Sequence, residues 1–169
     1  MHKFSSMLLA AVLLAGSACS KKEVEVSSVA RTEAAHLASE AQLQQRLRDY
    51  AEAEKSLARA VELDPNVAVY WSGLGVNRAM QGNKSGAKKA YVRELEIYEE
   101  AVDKDANDIS AHLAQIRPLV LLGRSKDARK LLEKLAKKHP EEARVRQFID
   151  GKIIDQMEAD PKIREAMVN

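Results

Sequence analysis

The stretch from Ala68 to Glu99 constrains this chain more than any other, because it spells two helices that must cross closely. Trp71, Leu74 and Gly75 fall within about a turn of one another on one helical face, and the missing Cβ of Gly75 leaves room for a second helix. Gly82-Asn83 stops the first helix and turns the chain. Ala87 and Tyr91 then share one face of the next helix as a small and a large residue, with Ala87 expected against the Gly75 notch. Such a helix pair cannot bury both of its faces alone, so further copies should stack on either side.

Copies are present. Asp49-Tyr50-x-x-Ala53-x-x-x-Leu57-x-x-Ala60, closed by Asp64-Pro65-Asn66, places Ala53 34 residues before Ala87. Its first helix, with Leu37, Ala41 and Gln44 at the motif positions, is degenerate, and Arg48 replaces the turn glycine. Further on, Gly123, Ala128, Leu132 and Pro140 supply turn, small, large and terminal residues, but Gly123 follows Gly82 by 41 residues rather than 34. The extra seven are expected inside the second helix of the central pair, running on through Tyr98 and Ala101 to Lys104. Seven residues make nearly two turns, about 20° out of register, so the apolar face survives.

These spacings match the pattern W-x2-L-G followed by A-x3-F, and over about residues 30–157 the chain resembles the tetratricopeptide repeat (TPR) family. Arg78 stands where that family has Tyr, and Glu94 where it has a small residue. The resemblance implies an all-α fold: a right-handed α–α superhelix of three TPR-like hairpins at 29–67, 68–108 and 109–140, closed by capping helices in 141–169. Asp108 should cap a helix from Ile109 to Leu122 that Pro118 kinks near Arg117. A single helix from Glu141 to Met157 should then cover the last repeat with Val145, Phe148, Ile149, Ile153 and Met157. Asp160-Pro161 opens a final short helix, Asp as cap and Pro at its first position.

The N-terminus carries a different signal. Met1-His2-Lys3 is a short basic head, Met7 to Ala15 is apolar, and Gly16-Ser17-Ala18 are small, so 1–18 reads as a secretory signal peptide. Cys19, the only cysteine, follows directly. That arrangement resembles a bacterial lipoprotein signal, which implies lipidation of Cys19, a polar tether over 19–28 and stable anchoring by several acyl chains. Ser20 stands where lipoproteins retained at the inner membrane often have Asp, so the resemblance implies the outer membrane, facing the periplasm.

Catalytic signatures are missing from the pattern. Gly73-Leu74-Gly75-Val76-Asn77-Arg78 lacks the third glycine and the preceding strand of a dinucleotide loop, and Gly82-Asn83-Lys84-Ser85 lacks the glycine spacing of a phosphate loop. His36, His112 and His139 fall in different repeats without metal-ligand spacing, so neither metal nor cofactor is expected. Glu94, Glu96, Glu99 and Glu100 read as a solvated acidic face. With 27 basic residues interspersed among 25 acidic ones there is no basic stripe for nucleic acid. The chain is expected not to be an enzyme.

What remains is a groove. In TPR proteins the first helices of successive repeats line a surface that takes a partner segment. By that resemblance the groove here comprises Ala38, Gln42, Gln45 and Arg46, then Val69, Ser72, Val76, Ala79 and Met80, then Leu113, Arg117, Val120 and Leu121. Lys and Asn of the family's carboxylate clamp are absent from these positions, so an apolar helix or extended apolar segment is the expected ligand. The competing expectation is that the N-terminal tether or the long central helix covers part of the strip. The function implied is a lipid-anchored scaffold that binds another envelope protein or peptide. The alternative is a structural subunit that self-associates into a homo-oligomeric envelope complex.

Overall fold

The computed structural model describes residues 25–168. The signal-peptide and lipidation readings, 1–18 and Cys19, lie outside the described residues, as does most of the tether. Among the described residues ten helical segments follow one another: α1 (Ser28–Arg46), α2 (Tyr50–Leu63), α3 (Ala68–Met80), α4 (Lys84–Lys104), α5 (Ile109–Ala114), α6 (Ile116–Leu121), α7 (Ser125–Lys138), α8 (Ala143–Asp150), α9 (Ile153–Ala159) and α10 (Pro161–Ala166). The fold is all-α, its helices packed pairwise as in a TPR-like helical repeat domain. α1 lies on α2 and α3 on α4, while the broken helix α5–α6 lies on α7.

One turn closes all three hairpins. Arg48, Gly82 and Gly123 adopt φ of 61°, 80° and 71°. In each, the following N–H reaches back five residues: Asp49 to Gln44 O at 2.9 Å, Asn83 to Arg78 O at 2.8 Å, Arg124 to Leu119 O at 2.8 Å. This is the Schellman arrangement, which satisfies the end carbonyls of the first helix and reverses the chain within a few residues. Side chains of Asp49 and Asn83 then cap α2 and α4 by accepting from Glu52 N and Gly86 N.

The notch at Gly75 is filled by Tyr91 rather than by Ala87: a Cβ on Gly75 would overlap the Tyr91 ring. Ala53, Leu57, Ala60, Leu74, Ala87, Tyr91, Ala128 and Leu132 are all buried. Trp71 is half-buried and its indole donates to Pro65 O at 2.8 Å, tying α3 to the link between hairpins. Arg78, at the place of the usual Tyr, donates to Glu54 at 2.9 Å and so joins α3 to α2.

α4 has 21 residues where α2 and α7 each have 14, which accounts for the late Gly123. Two boundaries differ from the sequence reading. The expected helix Ile109–Leu122 breaks at Gln115, not near Arg117, because Pro118 cannot donate to the carbonyl of Ala114 and its ring crowds that group. Gln115 N turns instead to His112 O at 3.3 Å. The expected helix Glu141–Met157 is two helices, α8 and α9, parted at Gly151 and by Lys152 in the left-handed conformation, φ 48°. Reversal there buries Ile154 alongside Val145 and leaves Ile149 42% exposed.

α10 then returns to α3 and α6. Ala166 and Val168 join Ala79, Ala87, Tyr91 and Leu121 in one apolar cluster. A second cluster joins the first hairpin to Leu74 and Ala90, and a third fills the space among α5–α9.

Candidate functional site: a cleft across three hairpins

Side chains from α1, α3, α4 and α6 meet in a cleft of about 460 Å³. Gln42 and Gln45 come from α1, Val69, Ser72 and Val76 from α3, Glu94 and Tyr98 from α4, and Arg117 from α6. An adjoining hollow shares Gln42, Gln45, Val76 and Arg117 and continues past Arg46, Arg48 and Met80 to Lys162 and Ile163 of α10. Of the groove residues expected from sequence, Gln42, Gln45, Arg46, Val69, Ser72, Val76, Met80 and Arg117 therefore share one continuous surface, with Ala38 at one end; Leu121 borders the other end but is itself buried beneath Val168.

Leu113 does not take part: it is buried at 7% exposure among Ile109, Ile116 and Leu132. Ala79 and Val120 are likewise interior. α4 forms the wall of the strip rather than covering it, and the lower part is covered by α10 and residues 167–168; the expectation that the tether covers it falls mostly on residues outside the described ones.

The chemistry of the cleft centres on Glu94, which the sequence reading placed on a solvated acidic face. Glu94 is 3% exposed, whereas its neighbours Glu96 and Glu100 pair with Arg93 at 3.2 and 2.9 Å. Its Oε1 lies 3.6 Å from Arg117 Nη1, and the same Nη1 donates to Ser72 Oγ. Its Oε2 has no hydrogen-bond partner among the described residues. Burial pushes the Glu94 carboxyl up to about 7, against the opposing pull of the Arg117 charge and the Ser72 hydroxyl. A signal was available in the spacing, since Glu94 follows Tyr91 by three residues and so shares its inward face.

This arrangement holds α3, α4 and α6 together and leaves apolar and amide groups facing the opening. Among the described residues no three His, Cys, Asp or Glu side chains gather as metal ligands, and no helix is long and apolar enough to cross a membrane.

Comparison with known proteins places a tetratricopeptide repeat at residues 113–142, from the end of α5 through α7. The match falls on the third hairpin rather than on the central one, where the motif spacing is densest. No curated protein matches the chain. The chain is an all-helical protein that contains a tetratricopeptide repeat, a module that generally binds protein partners.

Proposed function

We propose that this protein is a lipid-anchored scaffold of the bacterial cell envelope, which captures another envelope protein in the cleft and performs no catalysis of its own. The observation that carries the partner-binding reading is the convergence of Gln42, Val76 and Arg117, from three successive hairpins, on one opening. The envelope and the anchor rest on the leader-like residues 1–18 and the lone Cys19. Family resemblance adds an outer-membrane address on the periplasmic side, through Ser20.

Photo-crosslinking in intact cells tests the reading. A crosslinker at position 42 or 69 is expected to give a discrete adduct with one partner, and a crosslinker at exposed Lys130 of α7 none. Equal adducts from all three positions would remove the cleft from the account.

A further inference from the structure

The lower end of the cleft holds the chain's own C-terminal segment, largely through main-chain hydrogen bonds. Residues 165–168 are gripped through their main chain. The hydroxyl of fully buried Tyr91 donates to Ala166 O at 3.1 Å. Lys84 Nζ donates to Met167 O at 3.0 Å and also to Glu165 O. Val168 N donates to Leu121 O at 2.9 Å, satisfying a carbonyl in the last turn of α6.

Two small apolar side chains, Ala166 and Val168, are buried, and Ile163 is partly so, whereas Lys162, Arg164 and Glu165 are exposed. Met167 between them is extended, with φ −61° and ψ 148°. Backbone contacts of this kind accept many sequences, and side-chain selection falls to two positions. A six-residue helix has little stability of its own and is among the first elements to open.

We propose that the pocket formed by Tyr91, Lys84, Ala79 and Leu121 is a docking site for a partner's segment, and that residues 163–168 are its resident, displaceable occupant. The segment it fits leaves a helical turn in extended form and presents a small apolar residue followed, two positions on, by a β-branched one. The inference rests on the reading of the cleft as a partner site and adds the chemistry of the ligand and its internal competitor.

The test uses full-length protein, wild type and Ala166→Asp, with a fluorescent synthetic peptide of residues 159–168 as probe. Ala166→Asp should eject the resident segment. The variant is expected to bind the peptide about tenfold more tightly than wild type, roughly the effect of removing a competitor that is about 90% bound. A peptide carrying the same substitution should not bind. In cells, the adduct from a crosslinker at position 80 should rise in the variant. A folded variant that ignores the peptide, or an unchanged adduct at position 80, overturns the inference. A wild-type dimer that Ala166→Asp abolishes also overturns it, because the occupant in trans is then a second copy. Should the variant lose its helicity, hydrogen exchange on wild type decides: amides of 163–168 should be protected only about tenfold relative to unstructured chain while those of α3 are protected far more, and equal protection overturns the inference. Loss of the adduct at position 42 as well would defeat the scaffold reading itself, and so separates the two failures.

Discussion

Arg117 of α6 reaches Glu94 of α4 at 3.6 Å, the guanidinium 41% exposed and the carboxylate 3%. The pair is thus half in water: a partly exposed guanidinium sits over a buried carboxyl. Removing Arg117 should cost more than an exposed ion pair would, because it leaves the carboxyl buried without a counter-charge.

A pH dependence follows. The Glu94 carboxyl is raised from 4.5 to about 7, so between those values the folded chain keeps a proton that the unfolded chain has released. Its contribution to stability is therefore greatest below about 4.5, declines as pH rises through this window, and is constant above it. At about 1.4 kcal/mol per pKa unit the full decline is on the order of 3–4 kcal/mol at most. Urea denaturation at pH 5 and pH 8 should show wild type losing stability relative to Glu94→Gln as pH rises. A difference between the two that stays flat removes the buried-acid account.

The turn at Arg48 invites improvement. Its φ of 61° is matched at the other two hairpins by glycine. Arg48→Gly should raise stability by up to about 1 kcal/mol, the strain of a side chain in that conformation less the entropy glycine adds to the unfolded chain. Urea midpoints at constant slope measure it. No gain would mean that the Arg48 side chain makes compensating contacts.

Two glycines of α3 should respond differently to alanine. At Gly75 a Cβ overlaps the aromatic ring of Tyr91, which is itself fully buried and cannot retreat. Gly75→Ala should cost about 1–3 kcal/mol by overpacking. At Gly73 the nearest atoms are the ends of the Leu57 side chain, at 3.0 and 3.2 Å, which can shift. Gly73→Ala should cost less than Gly75→Ala, offset in part by alanine's better helix propensity. Thermal melts of both variants decide.

Val69 offers a probe of the cleft itself. It lines the opening, is 61% exposed and lies in the first turn of α3, where an acidic side chain is tolerated. Val69→Glu should change stability by less than about 0.5 kcal/mol. It should nevertheless cut partner recovery in a crosslinked pull-down several-fold; full recovery would move the binding surface elsewhere. For the proposed anchor, Cys19→Ala should release the protein from the membrane fraction, and retention there would end the lipid reading.

Local chemistry was legible in the residues. Gly82, Gly123, Asp49 and Asn83 mark turns through their own conformational preferences, and the late Gly123 foretells a 21-residue α4. Features that depend on distant neighbours were not. Nothing near Glu94 in the chain discloses that Arg117 and Ser72 will meet it, so it reads as one acid among several. Likewise the covering of Leu121 by Val168 joins residues far apart along the chain, and no periodicity encodes it. The break at Gln115 lay between: proline announces an interruption, but the damage falls a turn earlier, on the carbonyl it can no longer serve.

The long α4 sets the geometry of everything after it. Seven additional residues at about 1.5 Å each lengthen one rung by about 10 Å, so the step from the second hairpin to the third is unlike the step before it. A standard hairpin grafted behind α4 would meet a shoulder rather than a matching face, and trimming α4 to the usual length would withdraw Tyr98 from the wall of the cleft. The irregular rung makes this a spiral that cannot be lengthened by simple duplication.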